Sequence, residues 1–221
     1  AQVRLIHLPA DQKRTGYYAI LLAGGAYGAV CTMVESLPVA ARLNELGISC
    51  FCLNYRTAVQ ESFVTGLMPK PLDDLAAAWR FIKAHQEAFG IIAENYIVGG
   101  FSAGGHTAAL WGTEHLGFRK YDLPAPVMLL LGYPLITLQN LKPGPVTEYI
   151  KLGLFGTGYS EDDVRRYAVD LHVDTAYPKM YLVQSLDDDT VPAKDSGDFG
   201  AALQSAGIPF RMERPASGGH G

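Results

Sequence analysis

The sequence predicts one α/β domain, with a mostly parallel central sheet and helices on both faces of it. Short apolar runs alternate with longer amphipathic runs along the chain, and this alternation is typical of a parallel sheet wrapped by helices. The length of 221 residues suits one well-filled core and is a little short for two. Hydrophobic residues make up 48% and charged residues 18%, an ordinary balance for a globular protein. We therefore expect a single domain over residues 1–221.

Short apolar runs predict the strands. Residues 18–23 (YAILLA) are apolar throughout, as expected of a strand buried on both faces. Residues 48–55 (ISCFCLNY) are β-branched and aromatic, which also favours a strand. The remaining predicted strands are residues 96–98, 127–131, 180–184 and 209–213.

Longer runs with apolar side chains at helical spacing predict the helices. They are residues 34–46, 72–89, 103–114 and 194–206. Three of them end beside a glycine, which is a common helix cap: Gly47, Gly90 and Gly207. The predicted strands and helices alternate in sequence, as the parallel sheet requires, and residues 56–70 have the composition of a loop.

The pattern loosens over residues 133–177. This stretch contains Pro134, Pro143 and several glycines, with two short helical candidates at residues 147–152 and 161–167. We expect an insertion above the carboxyl edge of the sheet, because ligands bind at that edge in open α/β folds. The insertion would form a lid or a substrate wall, and nothing in its composition resembles a linker to a separate domain.

Composition excludes several classes of function. The net charge is −4 without a run of like charges, which argues against a nucleic-acid partner. No apolar stretch reaches the roughly 20 residues of a membrane-spanning helix, and the N-terminus lacks a signal-peptide pattern. Cys31, Cys50 and Cys52 are expected to be reduced and buried, which favours the cytoplasm, although a leader removed earlier would leave no trace. The C-x-C pair alone is not a zinc site. The sequence leaves the oligomeric state open, and a homodimer is one of the possibilities.

The strongest local signal is the segment GGFSAGG, residues 99–105. It contains G-x-S-x-G between an apolar strand and a helix-forming run. A serine on such a sharp strand-to-helix turn has its hydroxyl exposed above the sheet, and small neighbours such as Gly100 and Gly104 make the turn feasible. The adjacent helix N-terminus also favours developing negative charge. Ser102 is therefore the candidate nucleophile.

A second glycine-rich turn follows the buried strand 18–23. Its residues, Gly24, Gly25 and Ala26, are small enough for the backbone to approach a bound carbonyl oxygen. We assign an oxyanion hole to the backbone N–H of Gly25 or Ala26 together with that of Ala103, the residue after the nucleophile. A dinucleotide site at Gly24 and Gly25 is excluded, because no G-x-G-x-x-G opens the next helix.

A serine nucleophile needs a histidine base. On folds with this serine turn the acid and then the histidine follow the serine along the chain. Only His172 and His220 lie beyond Ser102 without sitting on or beside the helix that follows it. His220 is favoured because SGGHG, residues 217–221, forms a loop just past the last predicted strand. His172 follows a helical stretch of the insertion, and His106 lies on the helix after the serine, where we expect a structural role.

The acid should follow a strand between the serine and the histidine. The strand 180–184 leads into three adjacent aspartates, Asp187, Asp188 and Asp189, which spacing alone does not separate. The acid must stay ionised while it orients the imidazole and stabilises its charged form. A calcium site in this loop is disfavoured, because the spaced ligands of a calcium loop are missing.

Together these segments resemble the esterase and lipase group of α/β hydrolases that includes bacterial acetylxylan esterase-like proteins of the BD-FAE type. The matching segments, in the family's order, are GGAY (24–27), E-x-x-P-V-A-x-x-L-N-x-L-G (35–47), LNYR (53–56), GFSAGGH (100–106), DDDTVP (187–192) and GGHG (218–221). The resemblance implies the α/β-hydrolase fold, Asp188 as the acid, and the oxyanion loop at Gly25 and Ala26 with Tyr27 beside it.

The sequence departs from the family pattern at three places. Ala26 stands where the family usually has a third glycine, and Gln184-Ser185 stands where a His-Gly pair often precedes the acid loop. The resemblance also implies a closing helix after GGHG, whereas the sequence ends at Gly221. We expect that a base so near the end of the sequence needs further packing over it.

These residues predict a serine carboxylesterase that hydrolyses short-acyl esters, a class that the resemblance extends to acetylated carbohydrates. Its partner would be a small ester molecule, and its two-step acyl transfer needs no cofactor and no metal. Tyr27 and Tyr133 are candidate substrate-pocket walls by position only. Two alternatives stay open: a serine peptidase or aryl-formamide amidohydrolase on the same fold, and a non-catalytic binding protein that has retained the fold.

Overall fold

The computed structural model describes residues 3–10, 15–61 and 63–221, and it contains the expected α/β architecture. A seven-stranded sheet has the order β1-β3-β2-β4-β5-β6-β7. The strands are β1 Arg4–Leu8, β2 Tyr18–Leu22, β3 Ser49–Asn54, β4 Tyr96–Phe101, β5 Met128–Gly132, β6 Met180–Val183 and β7 Phe210–Glu213. β1 pairs antiparallel with β3, and the other strand pairs are parallel. The prediction of a mostly parallel sheet is confirmed.

Helices cover both faces of this sheet. They are α1 Ser36–Glu45, α2 Lys70–Ala84, α3 Gln86–Phe89, α4 Ser102–Leu110, α5 Pro145–Phe155, α6 Glu161–Arg166 and α7 Ala193–Ser205. One face of β2 packs through Ala19 and Leu21 against Ala40 of α1. Its opposite face contributes Tyr18, Ile20 and Leu22 to the main core, which also contains apolar side chains of α2 and α4.

Burial explains the composition of the central strands. All five residues of β2 and all six of β4 are buried, so neither strand alternates apolar with polar residues. The two strands are neighbours, with Leu22 opposite Gly100. The turns that follow β2 and β4 therefore meet at the carboxyl edge of the sheet.

Cys50 and Cys52 lie on the α1 side of β3, where both are buried and unbridged. Burial raises the pKa of the Cys50 thiol to about 12 and that of the Cys52 thiol to about 11. Both are therefore protonated, inert core side chains. Cys31 is also a free thiol and is partly exposed.

Three predicted elements differ from the structure. The expected helix at 72–89 is divided into α2 and α3, because the backbone of His85 leaves the helical conformation between them. The expected strand at 96–98 continues through two buried glycines to Phe101, and α4 ends at Leu110 rather than at residue 114. β1 has no predicted counterpart, since an edge strand with an exposed Arg and a partly exposed His lacks the composition of a buried one.

The segment 133–177 contains α5, α6 and the 3₁₀ turn Val169–His172. It packs against the loop 56–70, where the N–H of Leu67 donates to the carbonyls of Gly153 and Leu154. Leu154 and Val164 are fully buried in the same core as the central strands. No helix in the part of the chain that the structure describes has the length and apolar character needed to cross a bilayer.

Candidate active site

Ser102 lies at the tip of the turn between β4 and α4. Its φ of 51° is in the left-handed region, which is strained for a residue with a side chain and typical of functional turns. A Cβ on Gly100 would overlap the carbonyl of Gly104, and one on Gly104 would overlap the carbonyl of Leu22. The two glycines are therefore required by close packing of the turn against the end of β2. The result is a serine hydroxyl at the sheet edge.

The structure brings Ser102, Asp188 and His220 into one hydrogen-bonded chain. His220 Nε2 lies 2.9 Å from Ser102 Oγ, and His220 Nδ1 lies 2.8 Å from Asp188 Oδ2. The Asp188 side chain is fully buried, and the His220 side chain is 18% exposed. With Nδ1–H donated to the carboxylate, Nε2 carries the lone pair that can accept the serine proton.

Asp188 remains ionised in this buried position because of its hydrogen bonds. Burial raises its pKa, but bonds from His220, Val191 N–H, Gln184 and Thr190 N–H together outweigh burial and hold the pKa below its ordinary value. The two amide N–H groups bond Oδ1 at 3.0 and 2.9 Å, and Gln184 Nε2 bonds Oδ2 at 3.0 Å. A carboxylate satisfied in this way is suited to orient and stabilise an imidazolium.

The three adjacent aspartates have different partners. Asp187 Oδ1 accepts from the N–H of Gly219 at 2.8 Å. The Asp189 carboxylate accepts from the hydroxyl of Thr190 at 3.2 Å, and its backbone carbonyl accepts from Lys142. Of the three, Asp188 is the one bonded to the His220 ring.

Gln184 has a role at this site that the sequence did not indicate. It is buried, it donates to both Asp188 and the carbonyl of Val191, and its side-chain oxygen accepts from Ser196. It therefore fixes the start of the acid loop to α7. The only sequence signal was its position, where the resembled family often has histidine.

The other histidines lie elsewhere. His172 is partly exposed, its Nε2 lies 3.2 Å from the carbonyl of Arg165, and it contacts the ring of His115. His106 is fully buried, as expected of a structural residue, with Nδ1 2.8 Å from the hydroxyl of Tyr27 and Nε2 2.7 Å from the carbonyl of Tyr167. Burial lowers the pKa of His106 to about 4, so it is neutral at pH 7.

The glycine-rich turn after β2 lies directly beside the nucleophile. A Cβ on Gly24 would come within 2.7 Å of Ser102 Cβ, so this position requires glycine. The Gly24 N–H donates to the carboxylate of Glu35, which fixes the start of the turn. Within the described ranges, the backbone N–H groups of Gly25, Ala26 and Ala103 donate no hydrogen bond. They are thus available to a ligand oxygen.

The two candidate wall tyrosines have different surroundings. The ring of Tyr27 lines a cavity beside Ser102, but its hydroxyl is bonded to His106 and to Thr107 at 3.0 Å. That hydroxyl anchors the turn to α4 and does not face a substrate. Ala26 and Tyr27 have φ angles of 52° and 59°, and this anchor holds the strained pair in place.

Tyr133 differs from its expected position as a pocket wall. Its ring packs against the edge of the His220 ring, with centroids 4.9 Å apart, and its hydroxyl donates to Glu35 at 3.2 Å. It is not among the residues that line the cavity. The hydrogen bond to Glu35 and the contact with the His220 ring hold the Tyr133 side chain away from the cavity.

The cavity beside Ser102 has a volume of about 260 Å³. Its lining comes from the serine turn, the glycine-rich turn, the acid loop and the segment 133–177: Ala26, Tyr27, Ser102, Ala103, Leu135, Leu141, Lys142, Val146, Thr147, Ile150, Asp189, Thr190 and Val191. The sequence analysis expected residues 133–177 near this edge as an insertion, but it did not identify the lining side chains. Another cavity, of about 390 Å³, is lined in part by Tyr55, and its lining does not include Ser102, Asp188 or His220.

Fold and site together define a class of protein, that of the α/β-hydrolase fold with a serine on the turn after the central strand. The BD-FAE family model matches residues 5–120, and the prolyl oligopeptidase family model matches residues 65–221. The chain belongs to the BD-FAE family, and its C-terminal two thirds share the pattern of the prolyl oligopeptidase family.

Three relatives illustrate the similarity. The acetyl ester-xyloside bifunctional hydrolase from Caldicellulosiruptor lactoaceticus superimposes with a TM-score of 0.82 at 30% identity, covering 98% of this chain and 78% of that one. Endo-1,4-beta-xylanase B of Butyrivibrio fibrisolvens is 26% identical over 91% of this chain and 32% of its own length. Acetylxylan esterase of Xylanibacter ruminicola is 24% identical over 94% of this chain and 41% of its own. The chain thus spans less than half the length of these last two relatives.

Proposed function

We propose that the chain is a serine carboxylesterase that hydrolyses small esters through a covalent acyl-enzyme. The observation that carries the proposal is the continuous hydrogen-bonded chain from Ser102 Oγ through His220 to Asp188. Nucleophile, base and orienting acid at these distances are the signature of an activated serine.

In the first step Ser102 Oγ attacks the ester carbonyl carbon while its proton passes to His220 Nε2. The carbonyl oxygen becomes an oxyanion, which accepts hydrogen bonds from Ala103 N–H and from Gly25 or Ala26 N–H. Donors of this kind contribute about 3–4 kcal/mol each to transition-state stabilisation. The C–O bond to the alcohol then breaks, and His220 gives its proton to the departing oxygen.

In the second step water attacks the acyl-serine carbonyl and gives a proton to His220. Collapse of the second tetrahedral intermediate breaks the bond to Ser102 Oγ, which recovers the proton, and the carboxylic acid leaves. Throughout, Asp188 keeps the imidazole in the required tautomer and stays ionised itself, in keeping with its lowered pKa.

Acetylated carbohydrates are the natural esters that the relatives' names suggest. An acetylxylan esterase and an acetyl ester-xyloside hydrolase both occur among the similar proteins. The match to the prolyl oligopeptidase family favours a second candidate activity, amide cleavage by the same serine. Matched p-nitrophenyl acetate and acetyl p-nitroanilide separate the two, because only the leaving atom differs.

The decisive test compares the wild type with Ser102→Ala and with Ser205→Ala, a serine on the exposed face of α7. The rate of ester hydrolysis should fall by about 10⁴-fold or more in Ser102→Ala, as it does when other serine hydrolases lose their nucleophile. It should be unchanged in Ser205→Ala. A fluorophosphonate probe should label the wild type and Ser205→Ala alone. Wild-type protein that neither hydrolyses an ester nor reacts with the probe would instead support the non-catalytic alternative.

A further inference from the structure

The cavity beside Ser102 has walls of hydrocarbon. Five of its lining side chains are aliphatic and come from the segment 133–177 and the acid loop: Leu135, Leu141, Val146, Ile150 and Val191. We propose that this cavity binds the acyl part of the ester, and that it favours linear aliphatic acyl chains of about six carbons over acetyl. The inference rests on the proposed esterase function and gives its substrate class.

The position of the cavity relative to the catalytic groups assigns it to the acyl side. Ala26 and Ala103, whose amides are the proposed oxyanion donors, line the cavity, and His220 does not. His220 Nε2 must reach the oxygen of the leaving alcohol, so the alcohol lies on the histidine side of Ser102. The other substituent of the carbonyl carbon is the acyl chain, which then points into the cavity.

The polar groups in the lining are already bonded to one another. Lys142 Nζ donates to the carbonyl of Asp189 at 3.1 Å, and the Thr147 hydroxyl donates to the carbonyl of Lys142 at 2.7 Å. The Thr190 hydroxyl donates to the Asp189 carboxylate. These bonds leave a mainly apolar inner surface. Such a surface suits an alkyl chain.

The volume exceeds what an acetyl group fills. A group the size of a water molecule occupies about 30 Å³, so the cavity of about 260 Å³ holds on the order of eight such groups. An acetyl methyl fills one of them, whereas the alkyl carbons of hexanoate fill five. Each methylene buried against aliphatic side chains should improve binding about fourfold. Because Val146 is 72% exposed at the mouth, we expect part of that gain, at least tenfold between acetate and hexanoate.

The test is kcat/KM for p-nitrophenyl acetate, butanoate, hexanoate and octanoate, whose common leaving group confines the differences to the acyl side. It is repeated with Ile150→Trp, which fills the cavity, and with Ile92→Trp, a half-exposed position outside the lining. The hexanoate-to-acetate ratio should be at least ten in the wild type, fall about tenfold in Ile150→Trp and stay constant in Ile92→Trp. A ratio measures both esters on the same folded molecules, so partial misfolding of a variant does not change it.

Two results would overturn the inference in distinguishable ways. Acetate hydrolysed as fast as hexanoate or faster, with the serine required, would leave the esterase intact and refute the aliphatic acyl pocket. If the hexanoate-to-acetate ratio fell in Ile92→Trp as much as in Ile150→Trp, the assignment to this cavity would also be refuted. Absence of hydrolysis for every ester would overturn the proposed function and the pocket together.

Discussion

His106 makes the stability of the domain depend on pH in a way that one substitution can isolate. Its ring is fully buried on α4 between the hydroxyl of Tyr27 and the carbonyl of Tyr167. Burial lowers its pKa from 6.5 to about 4. Between these two values the unfolded chain binds the proton and the folded chain does not. Stability is therefore fully present above the unfolded pKa and falls as the pH drops towards about 4.

The size of the effect follows from the two pKa values. At about 1.4 kcal/mol per pKa unit, the interval from 6.5 to about 4 corresponds to a loss of about 3 kcal/mol in the free energy of unfolding. His106→Gln removes the titrating ring, and its amide can replace one of the two hydrogen bonds. The variant should be about 1–3 kcal/mol less stable at pH 7, because one buried group loses its partner.

The measurement is urea unfolding of wild type and His106→Gln at pH 7, 6, 5 and 4. Titration of the carboxylates is common to both proteins, so it cancels in the difference between their unfolding free energies. That difference should shrink by about 3 kcal/mol between pH 7 and pH 4, until the variant equals or exceeds the wild type. A difference that stays constant over this range would show that His106 is not held neutral by burial, and the reasoning would be wrong.

Two further predictions concern the turn after β2. Gly24→Ala should lower kcat/KM about 100-fold, because its Cβ would displace Ser102 and a shift of about 1 Å has an effect of that size. Gly28→Ala is the matched control, because its Cβ would meet no atom closer than 3.8 Å. Its kcat/KM should stay within about twofold of the wild type. Glu35→Gln should lower kcat about fivefold, because a neutral acceptor binds Gly24 N–H and the Tyr133 hydroxyl less strongly than a carboxylate. An unchanged kcat in Glu35→Gln would show that these two bonds do not position the site.

Much of the fold was predictable because burial determines composition. A strand buried on both faces cannot alternate apolar with polar residues, so β2 stands out in the sequence as YAILL. The edge strand β1 (RLIHL) has no such constraint, and its pairing with β3 depends on the rest of the sheet. The break at His85 was hidden for a related reason, because α3 continues the apolar and charged pattern of α2 after one non-helical residue.

The candidate site was predictable in its order along the chain and less so in its contacts. Adjacent residues have nearly the same spacing to every other residue, so spacing alone could not separate Asp187, Asp188 and Asp189, and only the family resemblance pointed to Asp188. Their separation arises in the loop itself, where the amides of Thr190 and Val191 hold Asp188 towards His220. The inward hydroxyl of Tyr27 likewise depends on where α4 places His106 and Thr107.

The cavity lining was not predictable, because it depends on how segment 133–177 packs. α5 contributes Val146, Thr147 and Ile150, and the other end of that helix is bonded to the loop 56–70 through Gly153 and Leu154. No local pattern in either segment indicates this contact between positions so distant in the chain.

The backbone bonds around the acid loop have a mechanical consequence. The N–H of Gln184 donates to the carbonyl of Glu213, that of Leu186 to the carbonyl of Pro215, and that of Gly219 to Asp187. The acid and the base are therefore tied to each other and to β7, whereas Ser102 lies on the turn between β4 and α4. A small shift of the acid loop relative to the serine turn would change the Ser102–His220 distance more than the His220–Asp188 distance. Substitutions along that edge should therefore tune the reactivity of the serine without changing the tautomer of its base.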